Sequence, residues 1–203
     1  CLSTASAATR PNCCDREPHI GSQMAAFFDA LNEKHIAFIV EQHMFFTATA
    51  PAAGRMNLSP KGMDTFRVLD SNSVAYLDLT GSGNETAAHL REDGDTGRMT
   101  IMLCSFDRAP LIMRLYGAGR VVRPEDGEWD SLHARFTPEP GTRQIVVMDI
   151  DSVQTSCGYA VPHYEFQGER DTLRRFWEAK PEDATAEYQR ENNQVSIDGR
   201  PIG

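Results

Sequence analysis

No run in this chain of 203 residues approaches the roughly 18 to 20 consecutive apolar residues that a membrane-spanning helix needs, so no such helix is expected. Positive charge is also short: 20 Lys+Arg stand against 29 Asp+Glu, a formal net charge of -9. That balance argues against general attraction to a nucleic-acid backbone or an anionic membrane surface, and it leaves room only for a local phosphate pocket. Cysteine is sparse and odd in number, at Cys1, Cys13, Cys14, Cys104 and Cys157. No two of them form a CxxC pair, and no histidine cluster accompanies them at finger-like spacing. The sequence therefore offers neither a disulfide framework nor a zinc site, and no metal is expected. A reducing, cytoplasmic compartment is the simplest reading, since no charged leader followed by an apolar stretch is visible.

What is present is a balance suited to one domain, with 40% hydrophobic and 24% charged residues. Residues 1–23 are small, polar and aperiodic, and read as a tail outside the fold; the adjacent Cys13 and Cys14 read as incidental. The domain is expected over 24–180, followed by a polar tail at 181–203. From Met24 to Gln42 apolar residues at Phe27, Phe28, Leu31, Ile36, Ile39 and Val40 alternate with charged ones as on an amphipathic helix, broken near His35. Strands are expected at 43–50, 55–59, 66–70, 74–79, 98–106, 111–123 and 144–151, separated by Gly-, Pro- and Asp-rich turns. Short helices are expected at 85–92, 124–135 and 168–179. Strands this numerous, with little room for helices between them, specify a mainly β fold: an antiparallel barrel with peripheral helices.

Two segments carry candidate chemistry. In Arg55-Met56-Asn57-Leu58-Ser59-Pro60-Lys61-Gly62, strand alternation puts Arg55, Asn57 and Ser59 on one face, and Pro60 turns Lys61 back toward it. Two cations, an amide and a hydroxyl suit a phosphate; a solvated strand end before a Pro-Gly turn suits the pattern equally. In Thr80-Gly81-Ser82-Gly83-Asn84-Glu85-Thr86, glycines permit close backbone approach to an anion at a helix start. Ser82 or Asn84 would serve as well as an N-cap. The run is not a G-x-G-x-x-G, and no βαβ unit surrounds it, so a Rossmann nucleotide site is not supported.

The stretches FIVEQHMFFTATAP (38–51), GRMNLSPKG (54–62), FRVLD (66–70), VAYLDLTGSGNETAAHLRE (74–92), GRMTIMLCSF (97–106), RLYGAGRVV (114–122) and VQTSCGYAVP (153–162) occur in this order. On these residues the chain resembles the pyridoxamine 5'-phosphate oxidase-related, FMN-binding split-barrel family over about 38–177. The resemblance implies a split β-barrel of antiparallel Greek-key type and an FMN-dependent oxidoreductase acting on a small-molecule substrate or nicotinamide donor. It also implies a homodimer with the flavin between subunits. Carried over position by position, it implies cofactor contacts from Arg55, Asn57, Ser59 and Lys61, from Ser82, Asn84, Glu85 and Thr86, and from Arg114 and Trp177. The vitamin-forming oxidases grip their substrate phosphate with a C-terminal motif rich in Arg and Trp. That motif is not seen after Pro162, so the resemblance implies the cofactor rather than the substrate. A deazaflavin in place of FMN, a flavin- or haem-binding module without turnover, and an interaction domain with an empty pocket are the other readings.

Among remaining residues, Cys157 beside Ser156 reads as incidental rather than nucleophilic. His89 reads as a surface or capping residue, and His43 as the end of the first helix. Trp177 with Phe176 and Leu173 fits a core or subunit contact as well as a flavin contact. The acidic runs at 91–95 and 125–130 read as solvated loops.

Overall fold

A computed structural model describes residues 25–91, 97–107, 109–181 and 183–202. The tail expected at 1–23 and most of the acidic run at 91–95 lie outside these residues. Eight strands and five helices follow in the order β1 (Ala25–Phe28), α1 (Glu33–Val40), β2 (Phe45–Thr49), β3 (Asn57–Lys61), β4 (Phe66–Val68), β5 (Ser73–Leu79), α2 (Glu85–Leu90), β6 (Arg98–Cys104), β7 (Leu111–Val122), α3 (Trp129–His133), β8 (Thr142–Cys157), α4 (Thr172–Glu178) and α5 (Ala184–Asn192).

All the strand pairs are antiparallel, and the strands form one sheet in the order β3-β2-β6-β7-β8-β5-β4, with β1 on the far end of β8. The sheet curls. Phe45 on β2 meets Tyr76 on β5 at 5.5 Å between ring centroids, although the two strands stand second and sixth in that order. The inward residues of every second position, among them Phe45, Tyr76, Ile101, Leu103, Met113, Leu115, Met148 and Val153, fill the interior. The edges β3 and β4 are not paired with each other, and the barrel is split there. Pro60 is tolerated in β3 because an edge strand does not need every N–H. A second layer of Ala75, Leu77, Val122, Ile145 and Val147 lies on the opposite face of β5, β7 and β8, beneath Phe136, Trp129 and Leu132.

Three elements depart from the sequence expectation. The helix expected across Met24–Gln42 is a strand followed by a shorter helix. Asn32 caps α1 reciprocally with His35, its side chain accepting from the His35 backbone N–H at 3.0 Å. Upstream of that cap, Ala25–Phe28 pairs with 153–156 of β8, an edge that β5 leaves open because it reaches only residue 149. β8 accordingly runs 16 residues, well past the expected end at 151. The third departure is the polar segment after Lys180. It forms α5 and a tight turn closed by a Val195–Pro201 bridge, and Asn193, Ser196 and Ile202 are buried.

Candidate functional site: a charged corner in an aromatic cleft

Asp78 lies inside the barrel near its split edge, 3% exposed, in the largely apolar run 74–79 of β5. An unpaired carboxylate there would be costly. Both of its oxygens are satisfied. Oδ1 accepts from Lys61 Nζ at 2.7 Å; Oδ2 accepts from Arg143 Nε and Nη2 at 3.2 and 2.7 Å and from Gln144 Nε2 at 2.9 Å. Burial pushes the Asp78 carboxyl up, but the charges and hydrogen bonds of Lys61 and Arg143 outweigh it and hold the group at about 2. Two cations share one carboxylate, so the cluster keeps a net positive charge.

That charge faces a cleft of about 900 Å³ bounded by Pro60–Met63, Thr80–Ser82, residues 164–170 and α4. Met44, Phe106, Phe166, Leu173, Phe176 and Trp177 make much of its wall. Lys61 is the member of the charged cluster that reaches it. Trp177 is buried and donates its indole N–H to the Thr80 carbonyl at 3.0 Å. A Cβ at Gly141 would come 2.3 Å from the Trp177 ring, and φ there is +79°, so glycine is required for this packing. His43 stacks on Phe166 at the rim, with centroids 3.6 Å apart.

The ten residues expected to hold a cofactor separate into groups. Lys61, Ser82 and Trp177 line the cleft. Asn57, Ser59 and Thr86 form a chain of their own across the split: Ser59 donates to Asn57 at 3.1 Å, and Asn57 Nδ2 donates to Thr86 at 3.1 Å. The Tyr76 hydroxyl is near Thr86, and burial pushes its pKa up. Asn84 takes the N-cap position of α2 without a side-chain cap bond; its Oδ1 accepts from Gln144 at 2.7 Å instead. Arg55 and Glu85 face the C-terminal turn. The Arg55 guanidinium pairs with Asp198, whose carboxylate also accepts the Arg55 backbone N–H at 2.7 Å, and Glu85 accepts the Ile197 N–H at 2.9 Å. Arg55 is thus compensated by a carboxylate of its own chain and does not line the cleft. Arg114 lies on the outer face of the sheet, donating to Ser156 at 3.3 Å.

Asp78, Arg143, Gln144 and Asn193 were not among the expected site residues. The signal for Asp78 was a carboxylate inside the apolar run VAYLDL. His89, expected at the surface, is buried at 2% exposure against Thr49, 2.9 Å away, and burial pushes its pKa down.

The net-positive corner, the Ser82 hydroxyl and the aromatic wall of the open cleft fit a phosphorylated planar cofactor such as FMN. The corner suits the phosphate and the aromatic wall suits the ring.

Residues 31–157 match the family model described as pyridoxamine 5'-phosphate oxidase. The chain is 37% identical over 196 residues to the pyridoxamine 5'-phosphate oxidase family protein ustO of Aspergillus flavus, covering 88% of this chain and 78% of that one. Among solved structures, it is similar to a putative pyridoxamine 5'-phosphate oxidase of Lactobacillus delbrueckii at 17% identity and a TM-score of 0.49, covering 62% of this chain and 94% of that one. HupZ of Group A Streptococcus is similar at 17% identity and a TM-score of 0.47, covering 61% and 91%.

Proposed function

The chain belongs to the pyridoxamine 5'-phosphate oxidase family, and on that premise we propose that it binds FMN in the Lys61 cleft and works as a flavin-dependent oxidoreductase on a small molecule. The observation that carries this reading is the Lys61–Asp78–Arg143 cluster. Arg143 compensates Asp78 from the buried side, so Lys61 can meet a phosphate without leaving a carboxylate uncompensated.

In this reading Lys61 and Ser82 hold the phosphate, with the Asn57–Thr86 chain alongside for the hydroxyls of the cofactor's side chain. Trp177 and Phe106 bound the ring and keep water from it. When bound, the flavin supplies hydride or electron acceptance, and no side chain need act as an obligatory acid or base. A nicotinamide or a small organic substrate would be the donor. A cytoplasmic setting is part of the proposal; no helix among the described residues is long and apolar enough to cross a membrane.

A homodimer is part of the proposal. Across five strands, Phe46, Met102, Arg114, Gln154 and Phe27 stand side by side on the outer face of the sheet. Leu58 on the neighbouring row is 68% exposed and Phe27 66%. An apolar face of this kind, with Arg114 and the Tyr116–Gln154 hydrogen bond of 2.7 Å at its centre, suits an interface with a second copy.

The test is an absorption spectrum of the purified protein, chromatography of what acid releases, and titration of the colourless form with FMN. Two flavin bands with released FMN, or tight uptake of added FMN by a species of dimer mass, support the reading. A colourless protein that takes up no FMN removes it.

A further inference from the structure

The Gly81–Gly83 turn, whose residues Gly81 and Ser82 line the cleft, has little packing to hold its shape. A Cβ at Gly81 would meet nothing within 4 Å, and one at Gly83 would meet only Glu85 at 3.9 Å. Its shape is set by hydrogen bonds at both glycine carbonyls. Asn193 Nδ2 donates to the Gly81 carbonyl at 3.2 Å, and Arg143 Nη1 donates to the Gly83 carbonyl at 3.2 Å. The two holders are joined, because Asn193 Oδ1 accepts from the same Arg143 Nη1 at 2.7 Å. Asn193 is 4% exposed, and its own backbone N–H closes the end of α5 on Gln189.

Around it the C-terminal arm is fastened at several points. Asp198 takes Arg55, Arg91 and Arg123 donate to the Ile202 carbonyl, and the Ile202 side chain packs on Ala87 and Ala88. Gln189 donates to Thr80 Oγ1 at 2.7 Å. This is an integrated wall of the molecule.

We infer that Asn193 is a positioning residue of the cleft: it locks the Gly81–Gly83 turn and Arg143 into one unit, and through Arg143 and Asp78 it sets the Lys61 ammonium that receives the anion. The C-terminal arm is therefore a working part of the site, although none of its residues from 193 on lines the cleft. The inference rests on the reading of the cleft as a flavin-phosphate site.

Two variants of the full chain test it. Asn193→Ala removes both bonds. Asn193→Asp keeps an acceptor for Arg143, so the guanidinium stays paired, but it puts a carboxylate oxygen where the donor to Gly81 stood and takes the cluster's net charge to zero. For this variant the exchange measurement rather than the affinity decides the role of the lost donor. Two measurements are made on each: FMN affinity by quenching of flavin fluorescence, and hydrogen exchange of the Thr80 and Ala88 amides in the cofactor-free protein. Those amides flank the turn and bond to the Gly141 and Asn84 carbonyls. Both variants should weaken FMN binding about tenfold and speed exchange at Thr80 and Ala88 by about as much, while amides in the middle of β5 keep their protection. Wild-type affinity in Asn193→Ala, or exchange at the flanking amides no faster than in the wild type, would overturn the positioning role while leaving the flavin reading intact. Faster local exchange in a protein whose wild type takes up no FMN would uphold Asn193 as the lock of the turn and sink the flavin reading instead.

Discussion

Lys61 on β3 and Asp78 on β5 form an ion pair at 2.7 Å across the two ends of the sheet, joining the strands that stand first and sixth in its order. The pair links fold to site. It crosses the split through which the cleft opens, and it leaves one cation exposed enough to meet a ligand, with 24% of the lysine side chain in solvent.

Asp78→Asn should be among the most damaging single substitutions. It strands Lys61 and Arg143 beside each other without their shared counter-charge, and breaking a buried pair from one side costs about 3–5 kcal/mol. Urea denaturation of the two proteins measures it; a loss below about 1 kcal/mol would contradict the cluster as described.

Acid should act through the same group. The folded state holds the Asp78 carboxyl at about 2, below its ordinary value of 3.8. Stability from this depressed group is complete above about pH 4 and is lost as the pH falls toward 2, on the order of 2 kcal/mol in all. Denaturation midpoints taken between pH 5 and 2 should show this limb in the wild type and a shallower one in Asp78→Asn.

Lys61→Ala and Arg55→Ala should separate cleanly. Lys61 faces the cleft, so its loss should weaken FMN binding by about 1–3 kcal/mol. Arg55 is tied to Asp198 and its side chain is 68% exposed; its loss should leave FMN affinity within about threefold and cost under about 1 kcal/mol of stability. Flavin titration of both variants decides it, and equal losses would return Arg55 to the phosphate shell.

Gly141→Ala should displace Trp177. The added methyl meets the indole at 2.3 Å from a backbone with φ of +79°, and the cost should be at least about 2 kcal/mol. A red shift of tryptophan emission should accompany it as the ring gains solvent.

The strands were legible because alternation marks an inward face wherever one side is buried, and β2 and β5 to β7 fall close to the expected spans. Lys61 was expected on the right face for the wrong reason: Pro60 does not turn the chain, because β3 runs through it to Lys61, and strand alternation alone puts Lys61 on the face of Asn57 and Ser59. Arg143 and Asn193 were not expected, for a physical reason: their meaning lies in contacts with Asp78 and Gly81, 65 and 112 positions away in the chain. The C-terminal arm was hidden differently. Its burial is achieved by hydrogen-bonded Asn193 and Ser196 rather than by apolar periodicity, so its composition resembles that of a tail. At the other end, AAFF satisfies helical and strand spacing alike, and the free edge of β8 decides between them.

The arm also fixes an order of assembly during synthesis. Every strand of the barrel precedes residue 193, so a nascent chain can complete its sheet while the Gly81–Gly83 turn still lacks the side chain that locks it. Until α5 and the turn beyond it have left the ribosome, Arg143 has no partner at Asn193 and Arg55 none at Asp198. On the flavin reading, a site able to hold an anion tightly would then follow the sheet, since it waits for Asn193 to reach the Gly81 carbonyl and Arg143.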